Sequence, residues 1–278
     1  MNSKLIAVPL MVIAIALLYA VWEIDESYSW YLAIVILLLA VVYIMAPQID
    51  WFFSKKQPPL LDEGARKFLL RHSRFFRELP IEGKKQFEQR ISLWIESREW
   101  RAQNLDEVPE DVKVVIAAGA VETFWPHGDE YLLPDYEQSV LFMGPFPTPQ
   151  HHAWHASESF AEDGVLLFSV DHLLRAFVEP HHFLRLDLYE MSGLLLQKHP
   201  EIRLPSVPDL KTALARVSGF PHDRVEAFLG LPITDLAPLA VAYFLQFPEK
   251  FRQELPELHR YLEGKAGHER GALRLTTV

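Results

Sequence analysis

Two long apolar runs open the chain, and amphipathic periodicity takes over only after them. Residues 5–22 are apolar apart from Pro9 and Tyr19, and residues 30–46 are apolar throughout. At 1.5 Å per residue in a helix, each run reaches about 25–27 Å, close to the hydrocarbon thickness of a bilayer. The pattern predicts a transmembrane helical hairpin over residues 1–53, with spans at about 5–22 and 30–46 and a lipid bilayer as partner through residues 5–46. The segment between the runs carries Glu23, Asp25 and Glu26 and no basic residue. Lys4 precedes the first run, while Lys55, Lys56, Arg66, Lys67, Arg71 and Arg74 follow the second. The positive-inside rule then expects both the N- and C-termini in the cytoplasm, with the hairpin in the cytoplasmic (inner) membrane. Trp22, Trp30, Tyr31 and the cluster Trp51-Phe52-Phe53 stand where aromatic belts stand. Trp22-Glu23-Ile24-Asp25 makes a poor cleavage site, which argues against a removed signal peptide. Neither run holds an ionisable group at mid-depth, so the hairpin reads as an anchor rather than a transport path.

Beyond the runs, residues 54–61 (SKKQPPLL) form a linker in which Pro58-Pro59 stops any helix leaving the membrane. A domain is expected over residues 62–266, followed by a flexible tail at 267–278. Phe87, Ile91, Trp94 and Ile95 recur at helical spacing and predict a helix over 82–104. Pro109 supplies a start signal for a second helix over 111–124. The short apolar runs 139–143 (SVLFM) and 165–170 (VLLFSV) are bounded by turn-forming sequence and predict strands. Helices are expected over 182–198 and 235–247, and Pro248 and Pro256 punctuate a short final helix ending near Gly264. Helices outnumber strands, so the fold class is α+β with a small sheet.

Composition narrows the chemistry. The 278 residues carry a net charge of −10 and 50% hydrophobic residues, much of the apolar share lying in the first fifty positions. An acidic domain lacks the basic face a phosphate backbone requires, so no nucleic-acid partner is expected. The chain contains no cysteine, which removes disulfides, thiolate metal sites and cysteine nucleophiles.

Several segments in order resemble the Mlc titration factor A (MtfA) family of zinc-dependent peptidases: FRELP at 76–80 with the amphipathic helix after it, VPEDVKVVIAAGA at 108–120, a strand ending in FMGP, GVLLFSVDHLL at 164–174, and AYFLQFPEKFRQELPELHRYLEG at 242–264. The resemblance runs from about Phe75 to Gly264 and implies a helix-rich, zincin-like metallopeptidase domain. That family carries HExxH on a helix and a glutamate further on. Histidines four apart share one helix face and can bind one Zn²⁺, the intervening glutamate acts as base toward the metal-bound water, and the distant carboxylate is a third ligand. Here the corresponding helix reads LDLYEMSGLLL at 186–196. The resemblance places Tyr189 at the first histidine, Glu190 at the base, Gly193 at the second histidine and Ala242 at the distal glutamate. Glycine and alanine offer no side-chain ligand and tyrosine is not a usual zinc ligand. The expectation is a degenerate site without catalytic metal, and therefore no cofactor. The resemblance also implies a protein partner, since binding to a transcriptional repressor belongs to that family's described role.

Other residues keep an alternative open. His151, His152 and His155 form one cluster and His172, His181 and His182 another. His151, His155, His181 and His182 are candidates for a displaced metal site, with zinc as cofactor. Against this, 151–155 follows Pro145, Pro147 and Pro149 and reads as a loop, and no glutamate stands in HExxH register. Glu190 is either a remnant of the catalytic base or a carboxylate hydrogen-bonded within the fold; Asp187 and Gln197 place it on a possible polar strip of an otherwise apolar helix. Gly193 costs its helix about 1 kcal/mol relative to alanine, and a close neighbouring element would explain it. Three functions stay open: a membrane-anchored, non-catalytic protein- or peptide-binding module, an active metallopeptidase built on the histidines, Glu190 and Asp235, or a purely structural membrane protein.

Overall fold

The computed structural model describes residues 3–103 and 106–266; the tail expected at 267–278 lies outside them. The chain divides into two compact units, Met1–Pro59 and Leu60–Val278.

In the first unit, α1 (Ser3–Glu23) and α2 (Ser29–Ile44) are joined by a single 3-10 turn at Glu26–Tyr28 and pack on one another. No residue of their apolar windows is buried in protein, and α1, like the span Glu26–Ile44 that α2 makes together with the 3-10 turn, is long and apolar enough to cross a bilayer. A third helix, α3 (Ala46–Lys56), follows a break at Met45. Pro47 explains the break: without an N–H it cannot continue the hydrogen-bond ladder of α2. The aromatic cluster Trp51-Phe52-Phe53 therefore belongs to a separate helix, and the segment expected as linker from Ser54 is helical as far as Lys56. Asp50 of α3 accepts hydrogen bonds from the backbone N–H (2.7 Å) and hydroxyl (3.0 Å) of Ser3, satisfying a donor at the start of α1.

The second unit is helix-rich around one small sheet. Asp62 and Ser73 cap α4 (Glu63–His72) and α5 (Arg74–Glu78), each accepting from a backbone N–H of the first turn. Then come α6 (Ile81–Glu96), β1 (Glu99–Gln103), α7 (Glu110–Thr123), β2 (Gln138–Phe142), β3 (Ser157–Phe160), β4 (Val165–Ser169), α8 (Val170–Val178), α9 (Leu186–Lys198), α10 (Leu210–Ser218), α11 (His222–Leu229), α12 (Ala237–Gln246), α13 (Pro248–Glu254) and α14 (Pro256–Ala266). Strand order is β1-β2-β4-β3, with β1, β2 and β4 parallel and β3 an antiparallel edge strand. The core is continuous from Phe76, Phe87 and Trp94 through α7 and the sheet to Leu188, Tyr243 and Phe251.

Three boundaries differ from expectation. The helix predicted over 82–104 ends at Glu96, and Glu99–Gln103 is a strand. Helical spacing stops at Ile95, after which exposure alternates residue by residue; Trp100 turns back onto Trp94 and donates its indole N–H to the Ile95 carbonyl at 3.0 Å. The helix predicted from His182 starts at Leu186. Gln246 holds the preceding turn open, donating to the carbonyls of Pro180 (2.6 Å) and Phe183 (2.8 Å) and accepting from the Arg185 N–H (3.0 Å). The single final helix is two, with Pro248 and Pro256 each at a helix start, where the missing N–H costs nothing.

Candidate functional site

Helix α9 carries polar groups on two faces. Toward α7 lies a buried charge cluster. Arg185, immediately before α9, donates Nε–H to Asp187 Oδ1 at 2.7 Å, a second bond from Nη2 to Asp187 Oδ2, and a longer contact to Glu122 Oε2 at 3.4 Å. All three residues are buried. Burial opposes the guanidinium charge, but the two carboxylates outweigh it and raise the pKa of Arg185. Gly119 of α7 makes room for this cluster, because a Cβ there would stand 2.7 Å from Asp187.

Toward β3 lies the group that includes Glu190. The Ser157 hydroxyl donates to Glu190 Oε1 at 2.6 Å, tying α9 to the edge strand. The next strand residue, Glu158, faces two imidazoles: His151 Nδ1 at 2.7 Å from its Oε1 and His155 Nε2 at 3.1 Å from its Oε2. His155 is buried, and its Nδ1–H donates to the Ala153 carbonyl at 2.8 Å. His155 also exchanges backbone hydrogen bonds with Phe146, while Ala156 N–H donates to Leu229 O. Gly230, at φ +81°, lets α11 end against this segment, since a Cβ there would fall 2.1 Å from the Trp154 carbonyl. Glu190 retains some exposed surface, yet its carboxyl is densely enclosed. That desolvation raises its pKa to about 7, with Ser157 opposing the rise and Glu158 adding to it.

The other expected positions separate. Tyr189 is partly buried, and burial, with Glu190 and Asp235 adding to it, pushes its phenol pKa upward, away from the phenolate. Ala242 is fully buried in α12, which packs along α9. Gly193 has no close neighbour: a Cβ there meets nothing within 4 Å. The cost of a helical glycine at this position is thus not explained by close packing, and the position opens onto free space. Tyr189, Gly193 and Ala242 together supply one phenolic oxygen and no imidazole or carboxylate, so zinc of the HExxH type does not fit them. Asp187, Glu190 and Gln197 do not form one polar strip; Asp187 turns to Arg185, Glu190 to Ser157, and Gln197 accepts from the Tyr136 hydroxyl at 3.0 Å. His181 and His182 are exposed in the turn after α8. Neither they nor His151 and His155 enter a group of three converging metal-type ligands among the described residues; the group so placed is His127, Glu130 and His199.

Nothing in the sequence singles out Ser157 and Glu158, because SESF has no apolar alternation to mark a strand. Their role appears only once the hairpin with β4 sets them beside α9. Searches of protein-family models, curated proteins and solved structures return no match for the chain.

Proposed function

We propose that the second unit is an MtfA-like, zincin-type peptidase domain that has lost its catalytic zinc ligands. It acts as a protein- or peptide-binding module held at the cytoplasmic face of the inner membrane by the α1–α2 hairpin. The observation that carries this reading is the pairing of α9 with β3. The helix holding Glu190 lies against an antiparallel edge strand and is tied to it through Ser157. An edge strand presents backbone N–H and C=O groups to which an extended peptide can add, with alternate side chains supplying specificity. With glycine, alanine and tyrosine at the ligand positions, Glu190 has no metal-bound water to deprotonate.

Full-length protein in detergent micelles, offered a library of fluorescent extended peptides, is expected to bind a subset without cleaving them, with or without added zinc. Hydrogen exchange at the amides of 157–160 is expected to slow on binding. Chelator-sensitive cleavage would establish the active metallopeptidase instead, and absence of any bound peptide would remove the binding reading.

The topology has its own test, made simple by the absence of native cysteine. In intact cells Ser27→Cys, in the acidic segment between α1 and α2, is expected to react with a membrane-impermeant maleimide. Ser206→Cys, exposed on the second unit, is expected to react only after the membrane is opened. The reverse pattern would overturn the orientation.

A further inference from the structure

A second cluster lies away from Glu190, at the opposite end of α9. His199 is the C-cap of that helix, its N–H donating to Leu195 O; at 1.5 Å per residue it stands about 13 Å along the axis from Glu190. Here one ligand atom each from His127, Glu130 and His199 lies within 4.8 Å of the others, all three side chains being partly buried.

His127 and Glu130 come from one tight turn after α7, closed by hydrogen bonds from His127 N–H to Phe124 O (2.9 Å) and from Glu130 N–H to His127 O (3.1 Å). The turn is tied to the rest of the domain. Leu133, which ends it, occupies the left-handed region at φ 45°, a conformation that persists in a non-glycine residue only when its surroundings enforce it. Arg98 does so, donating to the carbonyls of Leu132 and Leu133.

His199 is oriented from both sides. Its Nδ1 lies 2.9 Å from Glu201 Oε1 and its Nε2 lies 2.8 Å from Glu130 Oε2. With Nδ1–H donating to Glu201, the Nε2 lone pair of neutral His199 faces a carboxylate oxygen, an arrangement that needs a cation between them. A proton can serve, and so can a metal ion. The carboxylate–histidine–metal relay has this same order of groups, the outer carboxylate fixing the tautomer and the inner nitrogen binding. The His127 ring stands 4.6 Å from that of His199, and its Nε2 is enclosed without a hydrogen-bond partner. Two imidazoles and a carboxylate are the donor set that borderline divalent ions favour. Tetrahedral bonds of 2.0–2.1 Å put ligand atoms about 3.3 Å apart, so Glu130 and His199 would open by about 0.5 Å to admit the ion.

We propose that His127, Glu130 and His199 bind a divalent ion of the zinc class, with Glu201 orienting His199 and water filling the fourth position. The ion displaces the proton between His199 and Glu130 and joins the end of α9 to the turn after α7. Its role is to brace the domain, and it leaves Glu190 without metal. The site is independent of the peptide-binding reading.

Zinc chloride titrated into untagged full-length protein in detergent, followed by calorimetry and by metal analysis after dialysis, tests it. One equivalent is expected to bind, raising the unfolding temperature. His127→Ala and His199→Ala are each expected to weaken binding at least 100-fold and abolish the thermal shift, and Glu201→Gln to weaken it about tenfold. Glu130→Gln, which preserves shape, serves if an alanine variant does not fold and is expected to weaken binding likewise. His155→Ala and Glu190→Gln are expected to leave zinc affinity unchanged within twofold. No stoichiometric zinc, or zinc that survives the His127 and His199 variants, would overturn the proposal. Peptide binding in excess chelator is expected to persist, so failure of the metal site and failure of the peptide-binding reading show up in different measurements.

Discussion

Arg185→Met is expected to destabilise the second unit by about 3–5 kcal/mol, the usual cost of removing one partner from a buried ion cluster. The substitution keeps the length and apolar stem of the side chain, so little packing is lost. What remains is Asp187, fully buried, near Glu122, which is 3% exposed, and the guanidinium that balanced Asp187 is gone. Arg185 also stacks over Phe177, its guanidinium carbon 4.6 Å from the ring centroid, but that contact is worth far less than the two charges. Urea unfolding of the full-length protein in detergent, read by tryptophan fluorescence, measures the loss. The triple variant Glu122→Gln, Arg185→Met, Asp187→Asn should recover much of it, because neutral partners need no counter-charge. A single-variant loss below about 1 kcal/mol would mean that the cluster is hydrated in solution and that its burial does not govern stability.

The elements that could be read from the chain are those whose own residues dictate them. The two N-terminal runs are legible because nothing but sustained apolar length is needed, and α7, β2 and β4 because proline, glycine and unbroken apolar sequence delimit them. The elements that could not be read owe their form to partners. Glu99–Gln103 (EWRAQ) carries two charges and becomes a strand by pairing with β2. Ser157–Phe160 becomes one through its hairpin with β4, and the short helices α4, α5, α8, α10 and α11 are set by caps and packing rather than by long periodicity.

The candidate sites divide in the same way. Glu190 stands out through its helix and the family resemblance, whereas Ser157 and Glu158 are common residues that gain meaning from position alone. Glu130 and His199 are 69 residues apart, and no local spacing connects them. The one signal in the sequence is the concentration of histidines, and it points to 151–155 and 172–182 instead.

Glu190→Gln is expected to stabilise the protein at pH 8 and to have little effect at pH 5. Because enclosure raises the pKa of Glu190 to about 7 from the 4.5 of a free glutamate, the folded state holds a proton that the unfolded chain releases. Between those two values the native state binds more protons than the unfolded state, so this residue's contribution falls as pH rises and levels off above about 7. Two and a half pH units correspond to a penalty on the order of 3 kcal/mol at pH 8, before any relief from solvent at the partly exposed side chain. Glutamine retains the oxygen that accepts from Ser157 and removes the charge that Glu158 repels, so it mimics the protonated acid and escapes the penalty. Urea midpoints for the parent and the variant at pH 5 and pH 8 isolate the effect, since every other titrating group is common to both proteins. An equal difference at the two pH values would show that Glu190 is ionised throughout, held by more solvent or more donors than Ser157. If the difference grows with pH as expected, Glu190 stands half-protonated near pH 7. On the peptide-binding reading proposed above, it can then donate a hydrogen bond to a peptide carbonyl as readily as accept one from an N–H. That dual capacity suits recognition of an extended backbone, where donors and acceptors alternate, and it requires no metal.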